Sequence, residues 1–379
     1  MSAGLEVSPQ SPLDVQELLD HCISFIPRCS ESLRSCSLVA RSWVDAAQSQ
    51  LFREPYAILG SRFYRMENAS RFCAALCSSP RLVGYVRALT LRLDHDLELN
   101  MKLCSVNFSR LESLEIGAPD DYYFEPEDIP FLHLQKLSSL STLRSLELRV
   151  QQGFPFWAPL FAHISPTIQK FFLYCEIWDT DHSAVPDDAP SVKLKSLRLT
   201  LDGSPATRYD IQDIISPHML RPFDLSQLIA LEVHQNEIRW QIPAQTGRMI
   251  QILDICFGFL ERFDPSALPQ LTHLRLDEIP GGVSISVIDS LSTLPLPRKF
   301  HTMVVGYSQH LKADQYIILD RFLSCYQSSG PLVVEIETYD KEKAGIHEKY
   351  PIMSSQNQLR VVYRAIKDPT WFMDMVAKL

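Results

Sequence analysis

The chain has 379 residues, 46% of them apolar and 10% aromatic, enough to bury a large core and to hold more than one structural unit. Its formal net charge is -9 with no basic stripe, which argues against nucleic acid as the main ligand. No apolar stretch approaches the roughly 20 residues that cross a bilayer, and Met1 to Gln10 carry Glu6 and no basic residue, unlike a secretory leader; the expectation is a soluble protein of the cytoplasm or nucleus with no membrane partner.

Residues 1–11 are expected to be disordered. Pro12, Leu13, Asp14 and Val15 then open a helical run with apolar residues at Leu18, Leu19, Cys22, Ile23 and Ile26. Ser30 can cap a second short helix from Glu31, in which Leu33 and Cys36 share a face. Leu38, Val39, Ala40, Arg41, Ser42 and Trp43 come next, and Leu51, Phe52 and Arg53 close the stretch. A segment this short is below the size at which a core is comfortably self-sufficient, so part of its apolar surface is expected to dock on a partner.

This stretch, roughly Pro12 to Pro55, resembles the F-box, the three-helix module by which substrate receptors attach to a Skp-type adaptor in cullin-RING ubiquitin ligases. The resemblance rests on the Pro-Leu start, the Leu18/Leu19 pair, the Ser-Leu-Val-Ala-Arg-Ser-Trp core and the Leu-Phe-Arg exit. Ser11 stands where the family has Leu. The resemblance implies adaptor contacts by Pro12, Leu13, Val15, Leu18, Leu19, Ile23, Leu33, Leu38, Val39, Trp43, Leu51 and Phe52.

A helical linker is expected over 56–85, with one helix at about Met66 to Ser78 stopped by Pro80. Its passage from Phe72 to Arg87 resembles the same junction in fungal F-box proteins that carry leucine-rich repeats. From Val86 a pattern recurs: apolar, two variable, apolar, one variable, apolar. It falls at Val86/Leu89/Leu91, Leu111/Leu114/Ile116, Leu143/Leu146/Leu148, Ile168/Phe171/Leu173, Leu194/Leu197/Leu199 and Leu228/Leu231/Val233. Leu271/Leu274/Leu276 and Phe300/Met303/Val305 continue it, and Leu332/Val334/Ile336 closes it in a looser form. Period-two alternation marks strands with one buried face.

From Leu89 to Leu197 the steps between equivalent positions are 25, 32, 25 and 26 residues, and they bracket the leucine-rich-repeat period. The fold expected over 86–379 is therefore α/β: an irregular leucine-rich-repeat horseshoe with a parallel sheet, after the three-helix F-box. A single large α/β sheet is the alternative. Asp368 and Pro369 read as the start of a terminal helix whose Trp371, Phe372, Met375 and Val376 would seal the last strand, near Leu359 to Tyr363.

In each expected strand the residues between the buried ones point to the opposite, concave face. They include Thr90 and Arg92, Glu115, Glu147 and Arg149, Phe172 and Tyr174, Arg198 and Thr200, Glu232 and His234, Arg275 and Asp277. Mixed charge with central aromatics suits a protein ligand, and the bland counter-reading is a solvated face with ion pairs. Acidic, aromatic loops add Tyr122, Tyr123, Phe124 and Trp178, and Arg239-Trp240 sits in a third loop. The expected target contacts are Arg92, Tyr122, Tyr123, Phe124, Arg149, Tyr174, Trp178, Arg198, His234 and Trp240.

Nine cysteines without matched Cys-x-x-Cys and histidine pairs read as buried thiols rather than zinc ligands. Asp94-His95-Asp96 and Asp179-Thr180-Asp181-His182 gather ligands poorly, because adjacent strand residues point to opposite faces. No nucleophile elbow, P-loop, dinucleotide-binding glycine pattern or His-Glu-x-x-His occurs. The expected protein is therefore no enzyme and needs no cofactor. The F-box resemblance implies a substrate receptor joined to a Skp-type adaptor and cullin scaffold, with an unknown protein as target. The alternative, kept open by the Ser11 departure, is a repeat scaffold not assembled into a ubiquitin ligase.

Overall fold

The computed structural model describes residues 16–26, 31–53, 66–93, 97–117, 131–150, 154–176, 191–202, 222–234, 244–256, 267–277, 299–306, 317, 320–321, 333–338, 348, 350–356, 359–363, 372 and 375–376. The protein is mixed α/β, with helices at its start and a large parallel sheet. Two units divide between residues 146 and 147.

The first unit begins with α1 (Gln16–Ser24), α2 (Glu31–Val39) and α3 (Arg41–Arg53). Leu19 and Ile23 lie four apart on α1, and with Leu33 and Ala46 they make one buried cluster, flanked by Ile26, Trp43 and Leu51. Next come α4 (Met66–Ser78) and α5 (Pro80–Val83). The linking helix spans the residues expected of it, and Pro80 both ends it and starts the next, since a proline at the first helical position lacks only an N–H that would be unpaired anyway. Phe52 stacks on Phe72 at 6.1 Å. Arg81 pairs with Asp45 at 3.2 Å, and the Tyr85 hydroxyl lies 3.1 Å from the same carboxylate. These contacts fasten α3 to α4, to α5 and to the turn after α5.

In this unit the strands β1 (Ala88–Arg92), β2 (Ser113–Gly117) and β3 (Ser145–Val150) lie in chain order, with α6 (Leu97–Ser105) and α7 (Phe131–Ser138) between them in sequence. The last four residues of β3 belong to the second unit. There, α8 (Phe154–Phe161) precedes β4 (Lys170–Glu176). The series β4, β6 (Ser196–Asp202), β8 (Ala230–His234), β9 (Ile252–Cys256), β10 (His273–Asp277), β11 (Thr302–Gly306), β12 (Val333–Thr338) and β13 (Leu359–Tyr363) is again in chain order. Every registered pair in it is parallel. A separate two-stranded sheet joins β5 (Val192–Lys193) to β7 (Phe223–Asp224). It brings Phe223 onto Phe171 at 4.7 Å and onto Phe161 at 6.0 Å. Also present are α9 (Ala244–Gly247) and α10 (Pro351–Ser355).

One backbone device recurs at strand starts. Two successive N–H groups converge on a single carbonyl of the preceding strand's entry. Glu112 and Ser113 donate to Arg87, Arg144 and Ser145 to Glu112, Lys195 and Ser196 to Gln169, and Ile229 and Ala230 to Lys195. Gln251 and Ile252 donate likewise to Ile229, Thr272 and His273 to Gln251, and His301 and Thr302 to Thr272. The device sets each of these strands in the same register on the one before. Equivalent apolar residues then stack on one face, as in the partners Leu197 and Leu231 or Leu253 and Leu274. From Val86 to Met303 the apolar positions of the repeated pattern are buried. Each fully buried leucine contributes about 1.5–3 kcal/mol over its exposed state.

The structure contains a strand that the pattern reading passed over. At β9, Ile250 just before the strand and Leu253 and Ile255 within it follow the same spacing and are fully buried. Ile252 between them is also apolar and buried, so the run loses the alternation that marks a one-faced strand. With β9 included, the long gap between Leu231 and Leu274 becomes steps of 22 and 21 residues.

The C-terminal residues do not lie where the sequence places them, over the last strand. Phe372 packs with Ala230 and Ile252 of β8 and β9, and Met375 and Val376 pack against that cluster. The segment therefore lies over mid-series strands, where the two apolar residues Ala230 and Ile252 offer a seat. The cysteines also divide: Cys73 and Cys104 are buried, but Cys22 and Cys77 are exposed. Burial pushes the Cys73 thiol up to about 11 and the Cys104 thiol up to about 12, so both stay protonated.

α10 has its first turn capped from a distance. Tyr350 at the N-cap makes no side-chain cap, and the buried Asp320 accepts from the N–H groups of Ile352 at 2.8 Å and Met353 at 3.0 Å. Asp320→Ala strands both donors and should cost about 1–2 kcal/mol in urea unfolding, whereas Asp320→Asn, which keeps one acceptor, should cost less.

Candidate functional site

Parallel register arranges the face opposite the leucines into rows. In the central row Phe172 neighbours Arg198, Arg198 neighbours Glu232, Glu232 neighbours Asp254 and Asp254 neighbours Arg275. Two carboxylates therefore stand side by side with a guanidinium on either flank. Arg198 Nε lies 2.6 Å from Glu232 Oε1, a close charge contact whose angle falls outside a hydrogen bond. Arg275 Nη1 donates to Asp254 Oδ2 at 2.9 Å. His234, two residues along β8, places Nε2 at 2.7 Å from Glu232 Oε1 and 3.8 Å from Asp254 Oδ1. At the other end Arg198 stacks over the Phe172 ring at 4.5 Å, and Arg149 lies 5.6 Å from the same ring. Arg149 also pairs with Glu147 on its own strand.

Over β8 to β10 this face is not the solvated surface of the counter-reading. Glu232 is 1% exposed, Asp254 0% and Arg275 8%. Like charges directly opposite one another on neighbouring strands repel, and their removal from water adds to the cost. Burial accordingly pushes the Asp254 carboxyl up to about 6; Arg275 and His234 pull it back, and Glu232 adds to the rise. Glu232 Oε2 and Asp254 Oδ1 are buried and accept no hydrogen bond among the described residues.

Glu232, His234 and Asp254 bring three ligand-type atoms within 4.8 Å of one another. Each carboxylate already carries a guanidinium, however, and a divalent cation between them would face both positive charges. The arrangement fits an ion-pair ladder better than a metal centre. Asp94-His95-Asp96 and the run from Asp179 to His182 lie outside the described residues.

The second candidate surface belongs to α1 and α2. Leu18 and Phe25 around α1, and Leu38 and Val39 at the end of α2, are exposed, Phe25 at 74% and Leu38 at 86%. The helices' own core, Leu19, Ile23, Leu33 and Ala46, is closed beside them. The expected adaptor residues thus separate: Leu18, Leu38 and Val39 face outward, Trp43, Leu51 and Phe52 are half-buried, and Leu19, Ile23 and Leu33 are interior. Pro12, Leu13 and Val15 lie outside the described residues. Phe25 was not singled out from sequence, although its spacing from Leu18 and Cys22 carried the signal.

Of the expected target contacts, the structure gathers Arg149, Tyr174, Arg198 and His234 on one face in the second unit; Arg149 is exposed and the other three are half-buried. The backbone of Arg92 is in β1. Tyr122, Tyr123, Phe124, Trp178 and Trp240 lie outside the described residues. Asp254 belongs to the ladder and was missed with its strand. No protein-family model and no curated protein matches this chain. Among the described residues no helix is long and apolar enough to cross a membrane.

Removing one member of a buried pair strands the other charge. Arg275→Met should cost about 3–5 kcal/mol in urea unfolding, and Arg275→Met with Asp254→Leu should recover most of that. An acid whose folded-state value is raised holds its proton more tightly when folded. Asp254's contribution is therefore fully present below its ordinary value of 3.8 and lost as pH rises through about 6. Wild type should gain stability relative to Asp254→Asn as pH falls from neutral toward 5, read from urea midpoints along the series.

Proposed function

We propose that this chain is a non-enzymatic substrate receptor of a cullin-RING ubiquitin ligase, docking a Skp-type adaptor through α1–α3 and a target protein through the second face of the sheet. One observation carries the reading: Leu18, Leu38 and Val39 on α1 and α2, and Phe25 just after α1, stay exposed although the helices' internal core is already closed. Exposed large apolar side chains on short helices are what a protein interface desolvates. The same residues fall within the stretch that resembles an F-box, from the Leu18/Leu19 pair to the Leu-Phe-Arg exit. In this reading the parallel strands form a degenerate leucine-rich-repeat domain.

The role asks for positioning only. A receptor of this kind raises the local concentration of target lysines near the ubiquitin-charged enzyme without touching a reacting atom. The exposed Arg149, the Phe172 ring and Tyr174 offer a polar and aromatic target surface. A scaffold outside any ligase is the second reading, and the closed Leu19, Ile23, Leu33 and Ala46 core favours it, since such a bundle can serve as a cap.

Co-expression with a Skp-type adaptor followed by size-exclusion chromatography separates the two. The receptor reading expects a stable one-to-one complex. Leu38→Asp with Val39→Asp should weaken it by about a hundredfold (two apolar contacts at about 1.4 kcal/mol each) without lowering the melting temperature, because both side chains are exposed. Leu33→Asp should instead melt the helices. A folded wild type that elutes without adaptor would leave only the scaffold.

A further inference from the structure

Phe372 is 1% exposed and lies against Ala230 and Ile252. These two are register partners on β8 and β9. They alternate with the core-facing Leu231 and Leu253, so Phe372 sits on the same face as Glu232 and Asp254, two residues along each strand. Phe372, Met375 and Val376 are helical; their i, i+3, i+4 spacing makes one apolar stripe. Ser196, the register partner of Ala230 on its other side, keeps that end of the seat small.

The row beside the seat is charged. A face covered permanently is held at least as well by apolar side chains as by ion pairs, which lose their hydration on burial. Glu232, Asp254, Arg198 and Arg275 are better suited to a surface that is uncovered part of the time. In sequence, β13 ends at Tyr363, nine residues before Phe372.

We propose that residues 372–376 are a built-in stand-in for the protein's target. The seat at Ala230 and Ile252 takes a short amphipathic helix with an aromatic residue first and aliphatic residues three and four positions later. The chain's own segment must leave before a target helix of that kind docks. This rests on the reading of the sheet's second face as the target surface; it does not depend on adaptor docking by α1–α3.

The test uses a fluorescent synthetic peptide of residues 366–379 and the full-length chain, read by anisotropy. A competitor tethered in cis lowers the apparent affinity by the fraction of time it occupies the seat. Phe372→Ala should therefore bind the peptide at least about tenfold more tightly than wild type. A peptide with alanine in place of its phenylalanine should not bind. Ala230→Arg added to Phe372→Ala, which fills the seat, should abolish binding. Equal affinity in wild type and Phe372→Ala, or a folded Phe372→Ala that binds nothing, would overturn the proposal, as would global unfolding of Phe372→Ala, because the segment would then be permanent core. Hydrogen exchange on the wild type gives an independent reading: residues 372–376 should exchange faster than β8 and β9, and equal protection overturns the idea. No arm contains adaptor, so failure here leaves the adaptor reading standing, and loss of adaptor binding leaves this result standing.

Discussion

Two N–H groups converging on one carbonyl at a strand's entry are the constraint on which the rest of this structure depends. The device repeats in both units, from Glu112 and Ser113 on Arg87 to His301 and Thr302 on Thr272. Because it fixes each strand against its predecessor, a slip of one residue is prevented, and a slip would turn every leucine out of the core. The leucine face is then continuous within each unit, and the strands satisfy one another's backbone groups.

The same constraint places the charges. Arg198, Glu232, Asp254 and Arg275 come from four strands and share a row only because their registers agree. Register orders the row as cation, anion, anion, cation, and His234 Nε2 lies near both anions. Keeping these charges dry is costly, because each loses its hydration on burial. Adjacent to it, Ala230 and Ile252 supply the only apolar pair on that face of β8 and β9 among the described residues, and Phe372 rests there. A charged row beside a small apolar seat pairs specificity with affinity.

At the N-terminus the division is by helix face. Leu19, Ile23 and Leu33 were indistinguishable in kind from Leu18, Leu38 and Val39 when read along the chain, since each is an apolar residue in a helical stretch. Packing separates them, because only one stripe of each short helix can reach Ala46 on α3. Phe25 escaped notice for the same reason: its exposure depends on where α1 ends and how it packs.

Local pattern alone determined a good deal of this protein. The apolar-x-x-apolar-x-apolar spacing located every long strand up to β12 except β9, and the linking helix Met66–Ser78 was legible from Phe72, Leu76 and Pro80. Those signals are short-range, carried by side-chain periodicity and by proline. β9 was hidden because Ile252 is apolar where the alternation calls for a polar residue, a choice that makes sense only once Phe372, from a distant part of the chain, lies on it. Likewise no spacing in the chain announces that Glu232 and Asp254 are neighbours or that Asp254's carboxyl is raised; register and burial decide both. What periodicity can encode was present in the sequence, and what depends on two distant segments meeting was decided by the tertiary structure.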